Sequence, residues 1–323
     1  MAKRDHGGNM DEAIAQYGGT ARDWIDLSTG INRVPYPVPN MPEDMWTALP
    51  TKSLIETTKS AARKAYGTRA PMLVTAGAQG AIQMLPRHLP MSEMRVLAPT
   101  YNEHAASFKN AGWPVKEVAT LSDLEGADVA IIVNPNNPDG QIFTRDTVLK
   151  LAKTVGHLIV DESFADPYPS HSVAPEAGRD GLIVLRSFGK FYGLAGVRLG
   201  FILGAAELIA DLQDMAGPWP VAGNALFIGA AALNDASWAK TTITRLQSDV
   251  TRCDTIAHAA GWSCVGGSLL FRLYETPDAT AAQIALAKSH IWSRIFPYSD
   301  RWIRLGLPAD EAEFSRLEIA LTP

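Results

Sequence analysis

Residues 129–140 read VAIIVNPNNPDG and residues 157–166 read HLIVDESFAD, so each stretch is an apolar run followed by polar residues. A continuous apolar run of this length is typical of a strand that is buried on both faces, as in a parallel sheet. Other short apolar runs alternate with helical patterns. The predicted strands lie at 72–75, 95–98, 129–133, 157–161, 182–186 and 199–203, and the predicted helices at 55–66, 80–89, 103–111 and 145–155. This alternation predicts an α/β fold with a large, mostly parallel sheet and helices on both faces.

The regions on either side of this pattern have a different character. Residues 1–45 contain many turn formers and a run of spaced prolines, which predicts an extended arm with turns. Beyond residue 212 the pattern predicts a smaller α+β unit. Its predicted elements are helices near 223–233, 237–260 and 280–289 and strands at 268–274 and 302–307. We therefore predict an arm at 1–45 that joins the small domain, a large domain at 46–212 and a small domain at 213–323.

The composition is that of an ordinary globular protein, with 46% apolar and 20% charged residues among 323. The formal net charge of −5 gives no electrostatic support for binding nucleic acid or an anionic membrane. The first residues carry no apolar signal-peptide region, and no apolar run approaches the length of a membrane span. The seven histidines show no paired metal-ligand spacing, and the two cysteines are too few for a disulfide framework. We expect a cytoplasmic protein that binds no metal.

A lysine follows the predicted strand at 182–186, in the stretch SFGKFYGLAGVRLG at residues 187–200. A lone lysine in such a place is usually a solvated charge. Lys190, however, lies among small and aromatic residues with glycines on both sides. Desolvation lowers the pKa of a lysine amine, and the deprotonated amine is a nucleophile that an aldehyde captures as an imine. The stretch therefore predicts a reactive lysine.

The same stretch resembles the lysine motif of the type I pyridoxal-phosphate (PLP) enzymes. The resemblance implies the type I PLP fold, with Lys190 as the catalytic residue that holds the cofactor as a Schiff base. It further implies that Ser187 and Arg198 hold the phosphate of PLP. Arginine suits that role because its planar guanidinium can donate two parallel hydrogen bonds to phosphate.

Two further motifs resemble those of the family and follow the strands quoted at the outset. By themselves, residues 134–140 also fit a plain loop, and Asp161 also fits a helix cap or a turn. The resemblance implies that the amide of Asn137 contacts the ring hydroxyl of PLP. It also implies that Asp161 pairs with the pyridine nitrogen, which makes the ring an electron sink. An acid at the end of a parallel strand lies where α/β sheets usually bind ligands.

The turn TAGAQG at residues 75–80 joins a predicted strand to a helix, where backbone N–H groups form a natural phosphate cradle. In the family this turn binds the cofactor phosphate, which implies that role for Gly77, Ala78 and Gln79. Tyr101 ends the next strand, at the position of the aromatic residue that stacks on the PLP ring in relatives. These motifs occur in the order of the family and span residues 75–198.

Two segments near the N-terminus point to a subgroup of the family. HGGN at residues 6–9 and DLSTGIN at residues 26–32 resemble the threonine-phosphate decarboxylases of cobalamin biosynthesis, although HGGN equally fits a flexible terminus. Aminotransferases related to histidinol-phosphate aminotransferase usually have tyrosine at the position of Phe164. That tyrosine donates a hydrogen bond to the cofactor ring oxygen, which phenylalanine cannot do.

The subgroup implies a small phosphorylated amino acid as substrate, namely L-threonine O-3-phosphate, which is decarboxylated to aminopropanol phosphate. Arg294 and His6 are the predicted ligands of the substrate phosphate, with Asn32 nearby. The predicted ligand of the carboxylate is Arg304, which also fits an exposed arginine at a strand end.

The family is dimeric, which implies a homodimer with active sites at the interface. Relatives often have a tyrosine before a proline that reaches the cofactor phosphate of the neighbouring subunit. Leu49 stands at that position here, so the contacts of the phosphate are expected to differ.

Two alternatives remain open on the sequence. An aminotransferase of the histidinol-phosphate type would share every cofactor residue, since cofactor motifs do not determine the substrate. A non-catalytic protein of the PLP fold would be expected to lack the lysine or the acid, and both Lys190 and Asp161 are present.

Overall fold

The computed structural model describes residues 6–322. The strands in chain order are β1 (Ile25–Asp26), β2 (Met72–Ala76), β3 (Met94–Leu97), β4 (Val115–Val118), β5 (Val129–Val133), β6 (His157–Asp161), β7 (Leu182–Ser187), β8 (Leu199–Leu203), β9 (Ser263–Ser268), β10 (Phe271–Glu275), β11 (Ile291–Trp292), β12 (Arg294–Phe296) and β13 (Ser299–Gly306). The α-helices are α1 (Met10–Tyr17), α2 (Asp44–Thr47), α3 (Lys52–Ala65), α4 (Gly77–His88), α5 (Glu103–Asn110), α6 (Arg145–Leu151), α7 (Phe188–Phe191), α8 (Ala206–Ala216), α9 (Gly223–Asn234), α10 (Ala236–Ala259), α11 (Ala279–Lys288) and α12 (Glu311–Leu321).

The chain divides into two compact units. The larger unit comprises Tyr36–Asn137 and Gln141–Ala239. The smaller unit comprises the residues up to Pro35, the short segment Pro138–Gly140 and the residues from Lys240 onward.

The larger unit is built on a sheet that has seven strands among the described residues, in the order β2-β8-β7-β6-β5-β3-β4. All neighbouring pairs are parallel except those of β8, which runs antiparallel to both β2 and β7. Strand β5 is buried along its whole length and β6 along all but its first residue, as expected for strands covered on both faces. The fold is therefore the predicted α/β fold with a mostly parallel sheet flanked by helices.

Apolar side chains between the sheet and its helices form the core of the larger unit. Strands contribute Leu73, Met94, Ile131, Ile159 and Ile202, and helices α4, α5 and α8 contribute Ile82, Leu85, Phe108 and Leu212. Burial of these side chains fixes the sheet, and with it the positions at which β5, β6 and β7 end.

The predicted strands of this unit agree closely with the structure, but β4 was not predicted. Its two central residues are exposed at the sheet edge, so it carries no apolar run. Helix α4 begins at Gly77, three residues earlier than predicted. Glycine is a poor helix former, so the sequence pattern does not reveal this first turn.

The smaller unit contains an antiparallel sheet in the order β12-β13-β10-β9 and a parallel pair, β1 with β11. The prediction of one strand at 268–274 was wrong, because the chain turns at Leu269 and Leu270 and forms the hairpin β9–β10 instead. The turn residues are apolar, whereas Gly266 and Gly267 lie within a strand. The usual turn signals therefore misplace this turn.

The prediction of an extended arm was wrong for residues 10–17, which form helix α1. This segment contains no proline, and the side chain of Asn9 accepts a hydrogen bond from the Glu12 amide at the helix start. A capping asparagine of this kind stabilises even a short helix.

The compact units differ from the predicted division at residue 212. Helix α9 belongs to the larger unit, where it packs against α3. The hydroxyl of Thr58 in α3 donates a hydrogen bond of 3.0 Å to the carbonyl of Leu226 in α9. The larger unit also begins at Tyr36 rather than at residue 46. The division into domains remains a prediction.

None of the helices in residues 6–322 combines the length and the apolar character needed to cross a membrane.

Candidate active site

A pocket in the larger unit lies where several strands of the sheet end. Among the described residues it is lined by Gly77, Ala78, Gln79, Ile82, Tyr101, Val133, Asn137, Asp161, Ser163, Phe164, Ser187, Lys190 and Arg198. The nine residues predicted to bind the cofactor all line it. The pocket is also lined by Ile82, Val133 and Ser163, for which no motif predicted a role.

Lys190 lies on the short helix α7, directly after β7. Phe188 and Phe191 on this helix are fully buried, which fixes the turn and leaves Lys190 half-buried at the pocket. A Cβ atom at Gly189 would lie 2.7 Å from the Cα of Ala195, so only glycine permits this close approach. The Nζ of Lys190 lies 5.4 Å from the centre of the Phe164 ring.

Asp161 ends β6 and is almost completely buried. One carboxylate oxygen is 2.8 Å from the Nε2 of His104. The other accepts hydrogen bonds from the amide and the hydroxyl of Ser163, at 2.9 and 2.5 Å. Burial by itself raises the pKa of Asp161, but the hydrogen bond and charge of His104 and the hydrogen bonds of Ser163 outweigh it and lower the pKa. The carboxylate therefore stays ionised inside the protein.

His104 is, like Ser163, a partner of Asp161 that no sequence motif predicted. It lies in the first turn of α5, three residues after Tyr101, and its ring meets the Tyr101 ring edge to face at 6.1 Å. It is as deeply buried as Asp161. The available signal was a histidine on the inner face of a predicted helix. Its partner lies 57 residues away, and the spacing within the helix does not reveal it.

The start of helix α4 forms a cradle beside Arg198. Among the described residues, no side chain caps the amides of this helix start. The Gly77 amide donates to the Arg198 carbonyl at 2.9 Å, whereas the next N–H groups of a first turn have no partner inside the helix and can bind an anion. Gly77 has a φ of +66°, and a Cβ atom there would lie 2.8 Å from the guanidinium of Arg198. A Cβ atom at Gly200 would similarly lie 2.4 Å from the backbone of Gly77. The two glycines thus bring the guanidinium and the helix start together.

The loop after β5 contains three asparagines, two of which hold the loop in place while the third lines the pocket. The side chain of Asn134 bonds to both the amide and the carbonyl of Phe143. The side chain of Asn136 accepts from the hydroxyl of Thr100 at 2.6 Å. These bonds hold the loop in one conformation, and Asn137 reaches the pocket.

Gln79 connects two other side chains near the pocket. Its amide donates to the carboxylate of Glu103 at 3.0 Å, and its carbonyl accepts from the hydroxyl of Tyr101 at 3.4 Å. The orientation of the Tyr101 ring is therefore supported by a hydrogen-bonded chain.

The chemistry of these groups fits PLP. The lysine amine suits an aldehyde, the ionised carboxylate suits a protonated pyridine nitrogen, and the cradle with its guanidinium suits a phosphate. A Cβ atom at Gly77 would fill this cradle. The position therefore requires glycine for the space of the cradle as well as for the turn.

The predicted substrate ligands lie in the smaller unit. Arg294 and Arg304 are direct partners in the β12–β13 ladder. Arg304 is buried and donates a hydrogen bond of 2.7 Å to the carbonyl of Ser28. Burial and the repulsion from Arg294 lower the pKa of Arg304 to about 10. Asn32 is buried, and its side-chain oxygen accepts from Arg245 at 2.6 Å.

The HGGN segment is docked within the smaller unit. The amide of Gly8 donates to the hydroxyl of Ser28 at 2.7 Å, and a Cβ atom at Gly7 would lie 2.3 Å from the Ser28 carbonyl oxygen. Ser28 belongs to the DLSTGIN segment and is also the acceptor of Arg304. The two segments that carry the subgroup resemblance are therefore in direct contact, while the side chain of His6 is exposed.

The chain is similar to known proteins over most of its length. The model of the family described as aminotransferase class I and II matches residues 40–317. The chain is 41% identical to the threonine-phosphate decarboxylase of Pseudomonas aeruginosa, over 98% of this chain and 97% of that protein. It is 40% identical to the threonine-phosphate decarboxylase of a Sinorhizobium species, with the same coverage.

Among solved structures, the histidinol-phosphate aminotransferase from Sinorhizobium meliloti in complex with pyridoxal-5'-phosphate has the same fold. Its TM-score is 0.84 at 20% identity, over 99% of this chain and 94% of that one. Since the family model spans most of the sequence, the chain belongs to the aminotransferase class I and II family.

Proposed function

We propose that the protein is a PLP-dependent lyase that decarboxylates L-threonine O-3-phosphate to aminopropanol phosphate, a reaction of cobalamin biosynthesis. The assignment of the substrate rests on the identity of 40–41%, over nearly the full length, to two threonine-phosphate decarboxylases. The pocket around Lys190 and Asp161 supports the cofactor chemistry.

Each group of the pocket has a role toward PLP in this proposal. The first turn of α4, Ser187 and Arg198 would hold the phosphate, and Lys190 would bind the aldehyde carbon. Asn137 would contact the ring hydroxyl, and Tyr101 would stack on the ring. When bound, PLP supplies an electron sink for the electron pair of the bond that breaks at the substrate α-carbon.

Asp161 keeps that sink effective. Its pKa is held low by His104 and Ser163, despite its burial, so the carboxylate is ionised at neutral pH. An ionised carboxylate beside the pyridine nitrogen keeps the proton on that nitrogen.

Lys190 would also act on the substrate. Its amine would hold a proton near the α-carbon and deliver it there in place of the departing carboxylate. The ring of Phe164 lies near this amine. Phenylalanine offers no hydroxyl to the cofactor ring oxygen, unlike the tyrosine expected in aminotransferases, and this favours the decarboxylase over the aminotransferase alternative.

The smaller unit offers charges that suit a doubly anionic substrate. We assign the carboxylate to Arg304 and the phosphate to Arg294 and His6, with Asn32 nearby. The two arginines repel each other across the β12–β13 ladder, and an anionic ligand would relieve this repulsion.

The decisive experiment follows carbon dioxide release from L-threonine O-3-phosphate by the purified protein with PLP. We expect release without added keto acid, and a loss of about a thousandfold or more in the Lys190→Ala variant. Amino transfer to an added keto acid without carbon dioxide release would instead identify an aminotransferase. Failure of borohydride to fix PLP on Lys190 would contradict the cofactor assignment as well.

We further propose a cytoplasmic homodimer. In the larger unit, Val38, Trp46 and Leu49 are apolar side chains that are more than half exposed, and a second copy of the chain would bury them. Sedimentation analysis should give twice the mass of the chain, and a monomer at micromolar concentration would contradict this.

A further inference from the structure

A buried charged cluster, formed by Glu162, Asp166 and Arg186, lies next to the pocket residues in sequence but has no part in the chemistry above. The guanidinium of Arg186 donates to Glu162 at 2.9 Å and to Asp166 at 2.8 Å. The exposed fraction is 0% for Glu162 and 3% for Arg186, so water does not screen these contacts.

The cluster joins the ends of the two strands that carry the main cofactor residues. Glu162 follows Asp161 at the end of β6, and Arg186 precedes Ser187 at the end of β7. Because successive side chains of a strand point to opposite faces, Asp161 and Ser187 can line the pocket while their neighbours meet on the other side. The Glu162 amide also donates to the Leu185 carbonyl at 2.9 Å, which continues the β6–β7 ladder past Asp161.

Further contacts hold Glu162 and Arg186 in one geometry. The Glu162 carboxylate accepts from the Ser172 hydroxyl at 2.5 Å and from the Val173 amide at 2.7 Å. The guanidinium lies over the ring of Tyr66, 4.1 Å from its centre. A planar guanidinium can contact two carboxylates and a ring face at once, which a lysine ammonium cannot do.

The charges of the cluster depend on Arg186. Burial raises the pKa of both Glu162 and Asp166, and the positive charge of Arg186 opposes that rise. Loss of the guanidinium would leave two buried carboxyl groups without their shared counter-charge, and the ends of β6 and β7 would lose their link.

We propose that Arg186 is a positioning residue: by joining Glu162 and Asp166 it fixes Asp161 relative to Ser187 and Lys190, and thereby sets the affinity for the cofactor. This inference rests on the proposed binding of PLP in the pocket. Arg186 touches neither cofactor nor substrate in this role.

The test compares wild-type holoenzyme with the Arg186→Lys variant, which keeps the charge and loses the fork. We expect the dissociation constant of PLP to rise about tenfold or more. We also expect the pH midpoint of the absorbance of Lys190-bound PLP to shift. That midpoint is a property of each folded, loaded molecule, so a merely reduced stability would not move it.

Two further variants complete the design. Arg145 forms another arginine–carboxylate pair in the larger unit, with Glu176. Arg145→Lys removes its guanidinium and should change neither the dissociation constant of PLP nor the pH midpoint. Glu162→Gln should weaken PLP binding, and its effect combined with that of Arg186→Lys should be less than additive if the two residues act as one unit.

The outcomes separate this inference from the proposed function. If the wild type does not bind PLP on Lys190, the proposed function itself fails. If the wild type binds PLP while Arg186→Lys leaves affinity and midpoint unchanged, Arg186 has no positioning role. Additive effects of Arg186→Lys and Glu162→Gln would equally overturn it.

Discussion

The pocket of the larger unit and the arginine pair of the smaller unit differ in how their charges are balanced. In the pocket, the buried carboxylate of Asp161 is matched by His104 and Ser163, and its pKa is lowered. In the smaller unit, the buried guanidinium of Arg304 lies on the strand position paired with Arg294, and its pKa is also lowered. For an arginine, a lowered pKa disfavours the charged form. The first lowering favours the charged form of the group and the second opposes it.

This difference indicates that the protein balances the charges of the pocket, while a ligand balances those of the arginine pair. The protein itself completes the electrostatics of the pocket, so the cofactor meets a site that is already organised. Between the two arginines a repulsion remains, which Tyr298 and Asp26 offset only in part. We infer that the substrate's own anionic groups complete the balance there, which would give the pair its specificity.

The strongest way to break the balance of the pocket is the Asp161→Asn variant. Asparagine keeps the shape of the side chain but cannot hold a proton on the pyridine nitrogen. We expect kcat to fall by roughly 10²–10³-fold, because the electrostatic stabilisation of the electron sink is lost. The assay is carbon dioxide release at saturating PLP, with the PLP content of the protein measured in parallel.

The conservative Asp161→Glu variant is the control for this experiment. It keeps the charge and should retain more activity than Asp161→Asn. Equal activity of Asp161→Asn and the wild type, at equal PLP content, would show that the carboxylate is not the partner of the nitrogen.

The two sites were not equally predictable from the sequence. The nine residues predicted to bind the cofactor all line one pocket, because each lies in a motif at a strand end, where parallel strands bring their termini together. The docking of Gly8 on Ser28 was not predictable, since it depends on a hydrogen bond across 20 residues of chain. The role of His104 was not predicted for the same reason, because its contact with Asp161 joins a helix to the end of a distant strand.

The fold shows the same limit. The buried strands β5 and β6 were predicted with correct bounds because burial on both faces leaves a continuous apolar run. The hairpin β9–β10 was misread because apolar residues form its turn, and the edge strand β4 was missed because it is half exposed. Sequence patterns report burial, and they fail where burial and secondary structure diverge.

The Arg304→Lys variant tests the balance of the smaller unit. Lysine keeps a positive charge but loses the planar fork, so we expect kcat/KM for L-threonine O-3-phosphate to fall by about 10- to 100-fold, mainly through KM. Arg301→Lys is the matched control, because Arg301 lies on the same strand and is more than half exposed. A fall of the same size in the control would remove the argument for Arg304.

The pKa of Arg304 adds a pH dependence to this test. Below a pH of about 10 the guanidinium is charged and attracts an anion, and above it the charge is lost. KM of the wild type should therefore rise as the pH increases through about 10. A bound anion favours the charged form, so any fall in kcat, which reports the substrate-bound enzyme, should come at a higher pH than the rise in KM.

The smallest expected effect concerns His104, and it shows most directly whether the pocket is balanced in advance. In a His104→Phe variant, Asp161 loses both a hydrogen bond and a nearby positive charge, while its burial remains. Burial raises the pKa of a carboxyl group, so the pKa of Asp161 should rise. The carboxylate is needed in its ionised form, and activity is lost as the pH falls through that pKa. The acid limb of kcat/KM should therefore move to higher pH, with little change on the plateau near neutrality.

His157 begins β6, the strand that ends at Asp161, and His157→Phe should leave the limb in place. An unmoved limb in His104→Phe would mean that Ser163 alone keeps Asp161 ionised, and the pocket would then depend on one partner where the structure shows two.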